Sequence, residues 1–341
     1  MRQYILRRLS LLPIVIFGIT MLLFALLQFL TPEMRAALYV KDPKQLDAVE
    51  SIIQKYHLRD PMPVQYWTWI KQIARGDLGY SETAKMPVAE ALAAYFPATF
   101  ELASLAFLAI LISGVWLGVL SAVHKDKALD HLTRFAAIIG YSLPSFVLGL
   151  VLLMVLYGKL KLFPPGRYSL DADLFIHSDQ FRSYTGLLLL DSLVNGKLLI
   201  FWDALKHLLL PAATLWYISI ALLVRTTRSS MLEVIHTDYI RTARAKGLDE
   251  RTIIRKHALK NALIPTLTLA TILYIGLLGG VVITETVFDF PGLGRWGVLA
   301  AQQLDIPAVM GFALMTSSFF VIGNLITDLL YAYIDPRIRL K

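Results

Sequence analysis

Six runs of the chain carry no charged side chain over a length that matches the hydrocarbon thickness of a bilayer: residues 9–30, 102–123, 135–158, 208–224, 262–284 and 306–327. A helix needs roughly 17–25 apolar residues to cross about 30 Å of hydrocarbon. Only helices and closed barrels can satisfy every backbone polar group there. The runs are too long and too continuous for barrel strands, so the chain is expected to be an all-α integral membrane protein with six transmembrane helices. A mean hydropathy of +0.59 agrees with this. A seventh apolar stretch, residues 187–202, is interrupted by Asp191, Asn195, Gly196 and Lys197. A bare charge at mid-bilayer costs about 2.5–3.5 kcal/mol, so this stretch is expected outside the bilayer, lying at the interface.

Charge orients the bundle. With the N-terminus inside, the inner segments 1–8, 124–134, 225–261 and 328–341 (Asp328 counted with the last helix) carry net charges of +3, +1, +5 and +2. The outer segments 31–98, 158–207 and 288–308 carry 0, +1 and −1. A basic excess stays on the cytoplasmic side, which places both termini there. The same asymmetry accounts for the net charge of +8 without nucleic acid, whose binding would call for basic residues interleaved with aromatics on a soluble face. The absence of cysteine excludes disulfides and thiolate metal sites.

The expected organisation is an N-terminal transmembrane helix (1–30), an extracytoplasmic cap loop (31–98) and a five-helix core (99–341) that includes outer loop 158–207 and cytoplasmic loop 225–261. In the cap, Leu46, Val49, Ile52, Ile53 and Tyr56 fall at helical spacing, and short helices are expected. Asp77, Gly79 and Ser81 mark a turn.

The inner loop carries the most informative local pattern. Asp238 is expected to cap a short helix, Tyr239 to Lys246, that stops at Gly247, and Asp249 to cap a second helix over 250–261. The product is a two-helix knob. Small Ala243 and Ala245 would keep the first helix thin enough for a groove, while Arg241, Arg244 and Lys246 could meet carboxylates of a partner. A solvated basic loop is the bland alternative.

This segment resembles the EAA loop of ABC importer permeases, in the form found in the dipeptide/oligopeptide (and nickel) transport family, and specifically its first-permease (B-type) subunits. Arg241, Thr242, Ala243 and Gly247 fall on the E, A, A and G of the pattern. Arg241 replaces the acid, Thr242 one alanine, and Leu259-Lys260 the later Leu-Pro. The resemblance continues through YILRRL (4–9), LRDPMPVQYWTWI (58–70) with GDLGYS (76–81), SLPSF (142–146), FPPGRY (163–168), HLLLPA (207–212), ETVFDFPGLG (285–294) and DLLYAYIDPRIR (328–339). Residues 31–34, Thr-Pro-Glu-Met, depart from the family's Pro-Gly-Asp-Pro.

The resemblance implies a type I importer bundle: two homologous permease chains, two ATP-binding subunits and an extracytoplasmic substrate-binding protein. Peptides, oligosaccharides or nickel complexes are the implied substrate classes, with oligopeptides favoured. It implies an ATPase contact at Tyr239, Arg241, Thr242, Ala243, Arg244, Ala245, Lys246, Gly247 and Leu248. The chain has no GxxxxGK[ST] phosphate loop. ATP and magnesium are therefore expected on partner chains, with no cofactor and no catalytic or metal-binding residue here.

After the fifth span, Glu285, Phe288, Pro291, Gly292 and Gly294 suggest a rigid re-entrant turn at the outer mouth, suited to a periplasmic gate. The same residues also fit a tight helix connection with Glu285 snorkelling to the interface. Glu101 and Asp328 are expected to pair with Arg or Lys at the interface. Pro144, Pro211 and Pro265 permit kinks, and Gly276, Gly279 and Gly280 suggest close helix packing. Tyr141, Tyr217 and Tyr274 could line a pathway or simply pack. A secondary transporter or channel working without an ATPase is the rival class.

Overall fold

The computed structural model describes residues 2–37 and 49–334. Helix α1 (Arg2–Leu27) leads into a cap of α2 (Pro32–Ala37), α3 (Val49–Lys55) and α4 (Met62–Ala74), closed by a short antiparallel ribbon of β1 (Tyr80–Ser81) and β2 (Met86–Pro87). The core comprises α5 (Val88–Val123), α6 (Ala128–Ser142), α7 (Ser145–Leu152) with a π-helical continuation over Leu153–Lys159, α8 (Leu170–Ile176), α9 (Leu188–Val194) and α10 (Leu198–Ile235). Then come α11 (Asp238–Ala245), α12 (Glu250–Thr252), a π-helical stretch (Ile253–Ala258), α13 (Leu259–Leu278), α14 (Val282–Val287), α15 (Leu293–Gln302) and α16 (Ile306–Ile334).

Four continuous helices are long and apolar enough to cross a membrane: Val88–Val123, Leu198–Ile235, Glu250–Leu278 and Ile306–Thr327. The predicted third span is a broken pair, Ala128–Gly140 and Ser145–Lys159, bent by 99°. Pro144 supplies no N–H to the helix and pushes Leu143 into an extended conformation (ψ 128°), which breaks the ladder rather than merely kinking it. Pro211 and Pro265, in contrast, sit inside unbroken helices. The predicted first span lies in α1, whose described apolar part is Pro13–Leu27.

Several boundaries differ from the hydropathy reading. At about 1.5 Å per residue the 36 residues of α5 reach about 54 Å. The cap–core boundary at 98/99 therefore falls inside a helix, since hydropathy marks only the part of a helix that sits in lipid. The interfacial stretch 187–202 divides at Gly196 into α9 and the first turn of α10. Asp191 at α9 is buried and accepts hydrogen bonds from Thr185 and Ser183 hydroxyls and from the Thr185 and Gly186 N–H groups. The fifth span ends at Leu278 rather than at Thr284. Gly280 (φ +99°) reverses the chain there, and a Cβ on it would lie 2.9 Å from Gly294 Cα.

Helix α5 is the central element, packed along α10 and α13. Gly114 and Gly118 let α10 approach so closely that a Cβ at 118 would lie 2.5 Å from Thr227 Cβ. Ala98, Leu102, Ala106, Ile110 and Leu223 fill this interface. Helix α13 meets α16 through Gly323, against Ile275. Gly276, expected at a close contact, has no other part of the described chain within 4 Å of its Cβ position.

The cap is helical as expected except for its ribbon. Ser81 Oγ and Thr83 N–H donate to Asp305 Oδ2 (2.7 and 2.9 Å), tying the ribbon to the start of α16. Val49, Ile52, Ile53 and Tyr56 form a small cluster with Ala36 and Leu58, while Leu46 lies outside the described residues. Helix α4 leans on α1 through a 2.8 Å hydrogen bond between the Tyr66 and Thr20 hydroxyls and contacts of Tyr66 and Trp69 with Phe24.

Candidate functional site

The knob forms as the chain leaves α10. Helix α11 is entered from Thr237 (φ −72°, ψ 156°), so Thr237 is the N-cap and Asp238 the first helical residue, and the helix starts one position earlier than expected. A negative charge in the first turn still complements the helix dipole. After α11, Gly247 takes φ +77°. Its N–H donates to Arg244 O (2.9 Å), and the Leu248 N–H donates to Ala243 O (3.4 Å). These bonds satisfy carbonyls that the helix end leaves open.

Asp249 caps the next helix as expected, accepting from the Thr252 N–H at 2.9 Å. Hydrogen bonds from the Thr252 side chain and N–H hold its carboxyl below the ordinary range. The second helix does not stop at 261. It runs from Glu250 to Leu278 as one element of 29 residues, continuing through the π-helical stretch Ile253–Ala258 and past Pro265.

The knob has a core of its own. Ile240, Ala243, Ile253, Ala258 and Ala262 bury against Met231 and Ala122 at the ends of α10 and α5. Ala243 therefore faces inward, where its small size lets α11 lie on α12–α13, and Ala245 is the small residue on the exposed side. Outward lie Tyr239, Arg241, Thr242, Arg244, Ala245, Lys246, Gly247 and Leu248, all exposed. Tyr239 is steadied by Asn261 Nδ2, which donates to its hydroxyl at 2.8 Å. Two of the arginines have partners within the chain: Arg244 Nε meets Glu250 Oε1 at 2.6 Å, and Arg241 meets Asp238 at 3.1 Å.

At the opposite end, α14 and α15 make a tight turn around one carboxylate. Glu285 is fully buried rather than snorkelling, because donors from α5 and α15 converge on it. Thr99 Oγ1 donates to its Oε1 (2.7 Å), and the Arg295 N–H at the start of α15 donates to its Oε2 (2.7 Å). Thr99 also accepts from the Leu293 N–H (2.7 Å).

Glycine is required beside the carboxylate. A Cβ at Gly292 would lie 2.4 Å from Glu285 Cδ, and one at Gly294 would lie 3.0 Å from Oε2. Phe288 and Phe290 are buried beneath the turn, and Pro291 is half-buried. Phe288 also receives the loop that precedes α8, since the Gly166 N–H donates to its carbonyl at 2.8 Å. Thr99, Phe290 and Arg295 are functional candidates absent from the sequence reading. Their only signal was the apolar and glycine context of the motif, because the partner threonine lies 186 residues away.

Glu101 pairs as expected. Arg167 donates to Glu101 Oε2 (2.9 Å) and to the Gly186 carbonyl (2.8 Å), while the Leu189 N–H donates to Glu101 Oε1 (2.7 Å). The side chains of Asp328 and Tyr141 lie outside the described residues. Tyr217 and Tyr274 do not come together. Tyr217 lies against Gly140 of α6, whereas Tyr274 shares a 2.9 Å hydrogen bond with Ser104 and packs on Phe107. Tyr274→Phe is expected to cost only about 0.6 kcal/mol and to leave solute uptake within about twofold. Uptake assays on reconstituted protein check this, and a larger loss restores Tyr274 to the pathway.

Comparison with known proteins extends the family resemblance over the whole chain. Residues 114–340 match the binding-protein-dependent transport system inner membrane component, and residues 1–103 match the N-terminal region of such membrane components. The probable D,D-dipeptide transport system permease protein DdpB of Escherichia coli K12 is 44% identical over 96% of this chain and 94% of its own. The dipeptide transport system permease protein DppB of the same organism is 39% identical over the full length of both. The oligopeptide transport system permease protein AppB of Bacillus subtilis is 37% identical over 99% of this chain and all of its own. Matches of this extent, on a bundle whose helices span a membrane, make the chain a member of the binding-protein-dependent transport family, a multi-pass permease of an ABC transporter whose ATP is hydrolysed by separate subunits.

Proposed function

We propose that this chain is one of two homologous permeases in an importer of di- and oligopeptides, served by two ATP-binding subunits and an extracytoplasmic binding protein. The three relatives named above are all peptide permeases, which favours peptides over oligosaccharides or nickel complexes. The basic face is assigned to the cytoplasm by its charge excess, and with it both termini.

The observation that carries the mechanism is the knob. Helix α11 and the Gly247 turn stand on a buried core and present an exposed basic surface to a partner. A rigid body of this kind can be pushed without unfolding. Directly behind it, the Glu250–Leu278 helix forms a lever about 44 Å long. Its far end is the Gly280 reversal, in van der Waals contact with Gly294 of the outer turn.

Closure of the ATPases would displace the knob, tilt this lever and shift the Glu285 turn, so that inner and outer openings alternate. The turn acts as the outer gate in this scheme. The coupling is a rigid-body shift between two packed arrangements.

The test is reconstitution. The chain purified with its neighbouring subunits should retain ATP-binding chains and concentrate peptide in liposomes only with ATP and binding protein. Concentration of solute by the chain without an ATPase would overturn the reading in favour of a secondary transporter.

A further inference from the structure

A cleft of about 600 Å³ lies between α6 and α10, within the range of roughly 300–1,000 Å³ typical of ligand sites. Its lining has two parts. Arg134, Arg225, Arg228, Ser142 and Ser229 supply the polar groups. Ile138, Leu222 and Val224 supply an apolar wall.

The arginines are graded in availability. Arg228 is consumed within the chain, its Nε and a terminal nitrogen each 2.7 Å from an oxygen of Asp130. That carboxylate is buried and also accepts from Ser121 Oγ and the Asp126 N–H. Arg134 and Arg225 are exposed and meet no carboxylate among the described residues. Among the described residues, no acidic side chain lines the cleft. The site therefore carries uncompensated positive charge.

Its depth is set by the chain. Arg134 is the last charged residue before the apolar run beginning at Phe135, and Arg225 is the first after the run ending at Val224. Helices α6 and α10 pack at Gly140 and Tyr217, which puts the two arginines at one level. That level is the headgroup boundary on the basic face. Ile138 on the wall and Leu132 and Phe135 beside it are 62–68% exposed, as expected for side chains facing acyl chains. A second, apolar slot of about 240 Å³ shares Ala137, Ala221 and Val224 with the cleft and runs past Leu117, Trp216 and Tyr217.

We propose that the cleft binds one anionic phospholipid from the leaflet on the basic face. Its phosphate sits between Arg134 and Arg225, and one acyl chain follows Ile138 and Leu222 into the slot beside Trp216. A zwitterionic lipid carries its own cation and brings no net charge to the arginines, whereas an anionic one offsets one of their two positive charges. The inference rests on the membrane placement of the bundle but not on which solute is moved, so its readout is independent of transport.

The experiment uses the full-length chain with the subunits that copurify, in mild detergent, exposed to equal amounts of phosphatidylglycerol and phosphatidylcholine and analysed by native mass spectrometry. An arginine near an anionic surface adds about fivefold to affinity. Phosphatidylglycerol should therefore be retained preferentially, and Arg134→Ala with Arg225→Ala should reduce its retention about 25-fold. Lysine at both positions should preserve most of it. Thermal stability should not change, because both side chains are exposed and make no ion pair among the described residues. Equal retention of the two lipids, or retention unaffected by the double alanine variant, overturns the proposal. Displacement by inorganic phosphate reassigns the site to a soluble anion. Disulfide capture of a cysteine at 138 by a second permease chain would show that protein covers the face instead.

Discussion

Gly292→Ala is expected to open the outer turn and to abolish most solute uptake while leaving the chain inserted in the membrane. The backbone at 292 (φ −100°, ψ 176°) suits alanine, so the cost is purely steric. The added methyl would sit 2.4 Å from Glu285 Cδ and Oε1 and 2.7 Å from Oε2. The carboxylate cannot yield without losing Thr99 and the Arg295 N–H, its anchors in α5 and α15.

Overpacking alone costs about 1–3 kcal/mol. Leaving a buried carboxylate without its hydrogen-bond donors costs about 1–3 kcal/mol more. Even 3 kcal/mol shifts the balance between packed and displaced turns by a factor of about 100.

The natural chain contains no cysteine, so a single one at the buried Thr284 reports the displacement through its labelling rate. Labelling should rise sharply in Gly292→Ala as uptake falls. In a Glu285→Ala background the same methyl should cost little more, giving a coupling of at least about 2 kcal/mol. Unchanged labelling and uptake would mean that the turn is not held by this contact.

Gly247→Val is expected to separate ATP hydrolysis from transport. Here the reasoning is the reverse of that at Gly292. Around Gly247 no atom would touch a Cβ, but φ is +77°. A β-branched residue in the left-handed region costs roughly 1–2 kcal/mol, enough to depopulate this turn geometry by about 5- to 30-fold.

No atom of the α11 core lies within 4 Å of a Cβ at 247, so α11 should stay folded and the knob persist while its outward surface turns. ATP hydrolysis should continue while uptake falls by about that factor. Asparagine, which tolerates the left-handed conformation, should restore most of the uptake and so separate backbone geometry from loss of a particular residue. Full uptake in the valine variant, with the complex intact, would remove Gly247 from the coupling mechanism.

These two glycines show what could be read along the chain and what could not. Gly247 was identifiable because a helix stop is a local event. Gly292 was placed in the correct turn, yet its steric role depends on a carboxylate packed against it from an earlier helix.

Asp249 was read correctly as a cap, since its acceptor lies three residues from its donor. Asp238 was placed one position off, because Thr237 offers the same extended entry geometry. Ala243 was read from its size as keeping the first helix thin. Smallness is equally consistent with either face of a helix, and only the position of Ile253 and Met231 decides which. The break at Pro144 and the reading-through at Pro211 and Pro265 differ for the same reason. A proline removes one donor in every case, and whether neighbouring helices hold the axis straight is a property of the packed bundle.

The membrane crossings, the basic face, the helix ends around Gly247 and the family itself follow from residue order, because transfer free energies, charge bias and backbone propensities act on one residue or a few neighbours at a time. The burial of Glu285 beneath Thr99 and α15, the inward face of Ala243, the 99° break and the arginine-headed cleft between α6 and α10 emerge only when distant segments meet. Contact, clash and the pairing of a buried charge are relations between surfaces, and those exist only after the helices have packed.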